Sequence, residues 1–508
     1  MNRSNPGRSG RSNGGADFLQ LDPAEAPPGG LADWLTDRLR TAIATGHLPV
    51  GTRLPATRTL ATDLGISRGI VTESYQRLTE DGHVTGRGRA GTVVVGTGNS
   101  TGRSRLRTPP RPPGTPAEES GTGDASCPSA DLSGPGLEIF DNLRAAPARI
   151  DLTPGVPDLA AFPRAAWLRA ERAVLKDLES ASFGYGDPAG TPALRGAVAN
   201  WLARNRGIAA DPDDVIVVAG VAQAIGLVAQ VLAQRGVHEI AVEDPGSLGS
   251  RQHLQNWGMQ TPPIPVDDRG LQVDVLRESG AGVVMVTPAH HFPTGVVLDG
   301  ERRRELIRWA AEGGLIIEDD YDAEHRYDRP PVPALRAMLA DRIVYAGSIS
   351  KLLAPSLRIG WMLAPSQYKD ELIGRKRLAD LGNAALPQLT LAHLMESGEL
   401  ERHLRFLRRR HRVRRDAMVA AIHNYLPTAT IHGAAAGLHL TITFDDPTDD
   451  ADLAAAALAK GVKTHPLSWH SQLPHAPGLV LGYAARTPTE ITEAIATIAE
   501  AGSVPKNG

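Results

Sequence analysis

The 508-residue chain has little cysteine and no long apolar runs. Its single cysteine, Cys127, excludes a disulfide within the chain and suits a reducing compartment. No apolar run approaches the roughly 18 residues of a membrane-spanning helix. Residues 1–15 lack the apolar segment of a secretory signal. We therefore expect a cytoplasmic protein without membrane contact.

Net charge and length set only broad bounds. The net charge of -3 does not decide for or against a nucleic-acid partner. The local distribution of charge has to be considered instead. A hydrophobic content of 41% is ordinary for globular protein. Because 508 residues exceed what one core usually holds, we expect two or more domains.

A short N-terminal region shows three helical patterns and a hairpin pattern. After a tail at 1–28 with the composition of disorder, helices are predicted from Leu31, over 57–64 and over 68–80, the last one capped by Ser67. Two β-patterned runs then flank a basic, glycine-rich tip at 86–91. Three helices and a basic hairpin predict a winged helix-turn-helix domain within residues 29–97.

The basic and hydroxyl side chains of this region fit contacts to DNA. Arg68 and Thr72 lie near the start of the third helix, the end that meets base edges in a major groove. Arg58 and the hairpin residues Arg87 and Arg89 are placed to contact phosphates. The alternative is a small helical dimerisation unit whose arginines face water.

The amino-acid sequence of this region resembles the GntR-family DNA-binding domain over roughly residues 31–96. The resemblance rests on the segments 51–61, 64–68 and 75–78 and on the Gly91-Thr92 pair. It implies double-stranded operator DNA as a partner. The implied DNA contacts are Arg58, Ser67, Arg68, Thr72, Arg87 and Arg89.

Residues 98–147 have the composition of a linker, rich in Gly, Ser, Pro and Thr. Its arginines either lie along a DNA backbone or are solvated charge. Beyond it, residues 148–500 alternate short apolar strands with helices, which predicts a mostly parallel α/β sheet. A smaller α/β subdomain is predicted at about 390–500, with a tail at 501–508.

A lysine follows the predicted strand at 343–346. Burial at a strand end disfavours the ammonium form of Lys351, and a neutral amine suits a Schiff base with an aldehyde cofactor such as pyridoxal phosphate. Ser348, Ser350 and Arg358 offer the donors that a phosphate needs. The alternative is an ordinary surface lysine in a loop.

Two further segments provide partners for such a cofactor. Asp319 ends another buried strand and suits a pyridine nitrogen, while Tyr321 suits a ring hydroxyl. Ala222 and Gln223 stand at a helix start, where free amides bind phosphate. The acidic run 318–320 is otherwise an acidic strand end or a divalent-metal site, and we expect no metal because histidines do not cluster there.

The motifs at 154–158, 185–195, 288–295, 318–321 and 348–358 together resemble a fold-type I aminotransferase over about residues 150–500. Behind a GntR-type head, this arrangement is similar to the MocR family of transcriptional regulators. The resemblance implies pyridoxal 5'-phosphate as cofactor and a homodimer, often head-to-tail.

The resemblance also implies a role for each matching residue. Lys351 is the residue that forms the internal aldimine, Asp319 contacts the pyridine nitrogen and Tyr321 the ring hydroxyl. Ser348, Ser350, Arg358, Ala222 and Gln223 bind the phosphate, Tyr185 reaches the phosphate of the neighbouring subunit, and His290 is a candidate ring to stack on the cofactor.

Three positions depart from working aminotransferases. Ser247 replaces a stacking aromatic residue, Phe292 replaces an asparagine, and Val480 stands where an arginine clamps the substrate carboxylate. We therefore predict a regulator that senses pyridoxal phosphate or an amino compound reacting with it. The alternatives are an active aminotransferase with an accessory head and a cofactor-free regulator with a vestigial domain.

Overall fold

The computed structural model describes residues 21, 23–27, 30–44, 48–80, 83–86, 91–95, 135–327, 332–446 and 449–502. They belong to two compact units, Met1–Ser126 and Cys127–Gly508. Arg87 and Arg89, and most of the predicted tail and linker, lie outside the described residues.

The first unit is a winged helix-turn-helix, as predicted. Its elements are α1 (Leu31–Ala44), α2 (Thr57–Asp63), α3 (Arg68–Glu80), β1 (Val84–Gly86) and β2 (Thr92–Val94). The two strands pair antiparallel to form the wing. Leu35, Val71 and Leu78 are fully buried where the helices meet, because the apolar residues of each helix recur on one face.

Part of the predicted tail packs on this unit. Leu21 and Ala26 contact its core, and Glu25 forms an ion pair with Arg38 of α1. The packed region therefore begins before the boundary predicted at residue 28.

The second unit alternates helices and strands. Its helices are α4 (Ile139–Ala145), α5 (Arg164–Asp177), α6 (Pro192–Arg206), α7 (Val221–Gln234), α8 (Leu248–Asn256), α9 (Val273–Ser279), α10 (Gly300–Ala311), α11 (Ser366–Asp380), α12 (Ala385–Glu396), α13 (Glu399–Tyr425), α14 (Asp450–Ala459) and α15 (Pro488–Gly502). Its strands are β3 (Ile150–Asp151), β4 (Val215–Val218), β5 (Ala241–Asp244), β6 (Pro263–Asp267), β7 (Gly270–Leu271), β8 (Val283–Val286), β9 (Leu315–Asp320), β10 (Ile343–Ser348), β11 (Gly360–Leu363), β12 (Thr430–His432), β13 (His439–Thr443), β14 (Val462–Lys463), β15 (His465–Pro466) and β16 (Gly478–Gly482).

Eight strands form one large mixed sheet in the order β4-β11-β10-β9-β8-β5-β6-β7. The five central strands β10, β9, β8, β5 and β6 run parallel, whereas β11 runs antiparallel to both of its neighbours. Helices cover both faces, so strands such as β4 and β8 are apolar throughout and buried along their whole length. The predicted α/β class is confirmed, and β6, β7 and β11 are strands that the sequence analysis did not predict.

A second, four-stranded antiparallel sheet, β12-β13-β16-β15, packs with α13, α14 and α15. This sheet forms the core of the smaller C-terminal subdomain. Separately, β3 pairs with β14 in parallel, which brings the start of the α/β region beside the C-terminal subdomain. None of the described helices combines the length and apolarity needed to cross a membrane.

Three arginines of the arginine-rich helix α13 contact other parts of the second unit. Arg410 and Arg414 both contact Asp158, at 2.9 and 2.7 Å, and Arg408 donates to the Glu324 carbonyl. These arginines therefore anchor the helix within the second unit rather than facing water.

Candidate functional site

A cavity of about 660 Å³ opens where β9 and β10 end and α7 begins. The carboxyl ends of parallel strands are the usual position of sites in such sheets. Seven of the residues predicted to bind a cofactor line this cavity. They are Ala222, Asp319, Tyr321, Ser348, Ser350, Lys351 and Arg358.

Lys351 lies in the turn after β10 and extends its amine into the cavity. Its Nζ donates a hydrogen bond to the Gly155 carbonyl. Burial lowers the pKa of Lys351, and the nearby Asp322 and Asp319 carboxylates oppose this effect. This is the direction expected for a lysine buried at a strand end.

Asp319 is the residue that most clearly lacks a partner. Its side chain is buried at the end of β9, and Oδ1 has no hydrogen-bond partner in the described part of the chain. The pKa of Asp319 is raised to about 7, mainly by burial and to a lesser extent by the negative charges of Asp320 and Asp322. The positive charge of Lys351 lowers this pKa. A buried oxygen of this kind calls for a donor, and a pyridinium N–H supplies one.

The Tyr321 hydroxyl contacts a histidine, which in turn contacts a carboxylate. The Tyr321 hydroxyl lies 3.0 Å from His290 Nδ1, and the same nitrogen lies 3.0 and 3.1 Å from the two Asp322 oxygens. Burial raises the pKa of Tyr321 well above its ordinary value. His290 is therefore a positioning residue behind Tyr321, not the exposed ring that stacking on a cofactor requires.

The phosphate-type donors lie at the start of α7. Ser348 Oγ donates to Ser350 Oγ at 2.8 Å, and the Arg358 guanidinium donates to the Ala219 carbonyl. Gly220 precedes α7 with a φ of 82°, and a Cβ there would lie 3.2 Å from Arg358 Nη1. Two hydroxyls, a guanidinium and the free amides of a helix N-terminus make a suitable phosphate cradle.

Taken together, these residues fit pyridoxal 5'-phosphate. The unpaired Asp319 oxygen suits the ring nitrogen, Lys351 suits the aldehyde, and the donors around α7 suit the phosphate.

Besides His290, two predicted residues lie outside this cavity lining. The Gln223 side chain turns away, accepting from the Ala219 amide at 2.7 Å and donating to Asp380 at 2.7 Å. Tyr185 is 93% exposed and does not line the cavity of its own chain.

The three departures take defined positions. Ser247 caps α8 and lines the cavity, and Phe292 lines it beside Tyr321, with ring centroids 6.3 Å apart. Val480 is fully buried in β16, opposite His465 of β15.

The sequence analysis missed one wall of the cavity. Phe140 and Leu143 of α4, which falls in the predicted linker, line it together with Lys463, His465 and His470. The apolar residues of α4 recur with helical spacing, so their periodicity was the available signal.

His290, Asp322 and His439 form a buried group whose ligand atoms lie within 4.8 Å of one another. The sequence analysis expected no metal and did not consider this group. The His290–Asp322 contacts already give it a role in orienting Tyr321.

On the first unit, the four described DNA-contact candidates lie on or beside α2 and α3. Arg58 on α2, Ser67 before α3, and Arg68 and Thr72 on α3 are all exposed. The Arg68 Nε lies 3.4 Å from the Thr57 hydroxyl, which places the side chain between the starts of α2 and α3.

Comparison with known proteins agrees with both units. The family model for aminotransferase class I and II matches residues 149–498, and the model for bacterial regulatory proteins of the gntR family matches residues 31–94. The chain is 33% identical over 477 residues to the probable rhizopine catabolism regulatory protein MocR of Rhizobium meliloti, covering 92% of each chain. The chain belongs to the MocR family of transcriptional regulators.

Other relatives support the same assignment. This MocR-family protein is 30% identical over 491 residues to the HTH-type pyridoxine biosynthesis transcriptional regulator PdxR of Corynebacterium glutamicum, covering 96% of this chain and 98% of PdxR. A kynurenine aminotransferase of Pyrococcus horikoshii matches its fold with a TM-score of 0.66 and 26% identity, over 72% of this chain and 93% of the enzyme. A multiple substrate aminotransferase of Thermococcus profundus matches with a TM-score of 0.66 and 27% identity, over 72% and 94%.

Proposed function

We propose that this MocR-family regulator holds pyridoxal 5'-phosphate in the cavity of its second unit. We further propose that the cofactor, or an amino compound reacting with it, changes how the first unit binds operator DNA. When bound, the cofactor supplies an aldehyde that condenses with primary amines. The observation that carries the proposal is the buried, unpartnered Asp319 oxygen in the same cavity as Lys351.

Electrostatics supports this assignment of the cavity. An unpaired carboxylate in a buried site is costly, and a cationic ring donor relieves that cost. Lys351 has a pKa lowered by burial, so a larger fraction of its amine is neutral and nucleophilic than in an exposed lysine. Ser348, Ser350 and Arg358 hold the phosphate in this proposal, and the amide of Ala222 assists them.

The exposed surface of α2 and α3 supports the DNA-binding part. Arg68 and Thr72 read base edges in this proposal, and Arg58 and Ser67 contact the backbone. A ligand shifts DNA binding only if it favours one arrangement of the protein over another. The readout to measure is therefore DNA affinity at fixed protein concentration.

We also propose a head-to-tail homodimer located in the cytoplasm. Tyr185 supports the dimer, because an almost fully exposed tyrosine beside a family cofactor motif is well placed to be covered by a second copy. In that assembly Tyr185 of the partner subunit reaches the phosphate.

Two substitutions separate the two functions. Lys351→Ala should abolish the visible absorbance of bound cofactor and leave the DNA affinity of the cofactor-free protein unchanged. Arg68→Ala should weaken operator binding by about 1–3 kcal/mol and leave the spectrum unchanged. The matched control is Lys369→Ala. It removes a partly exposed lysine of α11 that pairs with Asp214, and it should change neither property.

The assignment of the units is wrong if the two substitutions exchange their effects. Unaltered cofactor absorbance in Lys351→Ala would overturn the cofactor site alone. Steady turnover of an amino acid with a keto acid would instead favour a working aminotransferase.

A further inference from the structure

A second polar cluster lines the same cavity, apart from the residues assigned to the cofactor. It consists of Lys463 at the end of β14, His465 at the start of β15 and His470 after it. We call it the distal cluster. All three side chains are more than nine-tenths buried.

Lys463 is a buried lysine that has no carboxylate partner among the described residues. Its hydrogen bond to the Arg144 carbonyl of α4 spans 3.4 Å, longer than a normal N–H···O contact. Asp151, its register partner on β3, lines the same cavity; its Oδ1 accepts from the Thr153 amide and hydroxyl, and no ion pair joins Asp151 to Lys463 in the described part of the chain. A buried cation in this state favours an anionic ligand group.

The two histidines add hydrogen-bonding capacity. The Leu248 amide lies 3.4 Å from His470 Nδ1, a long contact that favours the neutral tautomer with its proton on Nε2. That Nε2 is buried without a partner among the described residues, as is Nδ1 of His465. Burial lowers the pKa of His465 to about 3 and that of His470 well below its usual range, so both rings are neutral at pH 7.

A row of rings connects this cluster to the cofactor residues. Phe292 lies 6.3 Å from Tyr321 and 5.0 Å from His470, His470 lies 5.7 Å from His465, and His465 lies 5.4 Å from Phe140, all between ring centroids. Such a wall favours a flat or apolar ligand body. His465 also pairs with Val480, the position where the aminotransferase resemblance places the carboxylate-binding arginine.

We propose that the distal cluster binds the acidic group of the effector, with Lys463 taking the place of the missing arginine clamp. The effector is then a primary amine that carries a carboxylate or similar oxyanion on a flat or apolar body. Lys463 Nζ and His470 Nε2–H donate to the oxyanion. This inference rests on the proposed function, since the amine end of the effector reacts at the cofactor.

The test compares amines that differ only in the acidic group. Purified full-length protein loaded with pyridoxal 5'-phosphate is titrated with benzylamine and 4-(aminomethyl)benzoate, with 2-phenylethylamine and L-phenylalanine, and with ethylamine and β-alanine. The readout is the apparent Kd from the change in the visible spectrum of the cofactor. In at least one pair, the acidic member should bind about tenfold or more tightly, the size expected for hydrogen bonds to a charged group.

Lys463→Met and Lys463→Gln should remove that preference and leave the spectrum of the bound cofactor in place. The control is Lys460→Met, which removes a surface lysine paired with Glu500 at 3.7 Å. This variant should keep the preference for acidic amines. The proposal is overturned if no acidic amine is preferred by the wild-type protein, or if both Lys463 variants retain the preference. If no amine alters the spectrum at all, the amino-compound form of the proposed function fails, and the distal-cluster proposal fails with it. A spectral response without any acidic preference overturns the distal-cluster proposal alone.

Discussion

At the residue scale, the cavity holds polar groups that the protein itself leaves unsatisfied. Asp319 carries an oxygen without a partner, and Lys351 is bonded to one backbone carbonyl. Folded proteins rarely bury such groups unless a ligand or a function requires them. We read these two residues as prepared for a ligand because both line the cavity. Asp320 Oδ1 also lacks a partner among the described residues, but Asp320 does not line the cavity, and its Oδ2 contacts Arg206 and Tyr345.

Replacing Asp319 should separate ligand binding from stability. Asp319→Asn keeps the shape of the side chain but removes a buried charge, so the cofactor-free protein should melt at the same or a higher temperature. Affinity for pyridoxal 5'-phosphate should fall by about tenfold or more, because a charged hydrogen bond is lost. Thermal unfolding and cofactor titration measure the two effects, and unchanged affinity would contradict the assigned role.

Two glycines at opposite ends of α7 offer a matched pair of substitutions. Gly220 and Gly236 have φ values of 82° and 83°, but only at Gly220 would a Cβ approach Arg358, and at Gly236 it would meet nothing within 4 Å. Both Gly→Ala changes should destabilise the protein by about 1 kcal/mol or more through a positive φ, and Gly220→Ala should cost the more because its ψ of 172° lies in a region that is essentially restricted to glycine.

Only Gly220→Ala should also weaken cofactor binding, because it displaces the guanidinium proposed to hold the phosphate. Equal cofactor affinities in the two variants would argue against a phosphate cradle at Arg358.

Residues that follow buried strands were predictable, and side-chain directions were not. Asp319, Ser348 and Lys351 reach one cavity because parallel strands end at one edge. Gln223 and His290 turn elsewhere because their partners, Asp380 and Asp322, come from other parts of the chain.

At the element scale, helical periodicity predicted the three helices of the DNA-binding head, and short apolar runs predicted the central strands. Short or unusual elements were not predicted. α4 was assigned to the linker because its surroundings are rich in glycine and proline, although Ile139 and Leu143 bury one face of it. β11 escaped because it is a four-residue antiparallel strand in a mostly parallel sheet. Its pairing with β4 and β10 is a tertiary contact that local pattern does not encode.

Helix α3 carries a prediction about recognition. Arg68→Ala and Arg77→Ala remove the same charge from the same helix, but Arg77 is already paired with Asp33 and Glu73. Operator affinity should fall in the first variant and change little in the second, since Arg77 is occupied by acidic partners. A fluorescence anisotropy titration with operator and scrambled DNA checks this, and equal losses in both variants would remove α3 as the recognition helix.

At the scale of the whole molecule, a DNA-binding head and an aminotransferase-like unit share one chain. α4 lies at the C-terminal end of the predicted linker, and its Arg144 carbonyl contacts Lys463 in the cavity wall. In the proposal above, an effector bound at Lys463 lies beside this helix.

The most direct measurement is the operator affinity of the full-length protein, titrated with pyridoxal 5'-phosphate alone and then with an acidic amine in addition. We expect pyridoxal 5'-phosphate, the acidic amine or both to shift the Kd for DNA by about fivefold or more, the usual range of coupling between sites. Lys351→Ala should abolish the shift while still binding DNA. An operator Kd that stays constant across all additions, in protein whose spectrum shows bound cofactor, would contradict the claim that this cavity controls DNA binding.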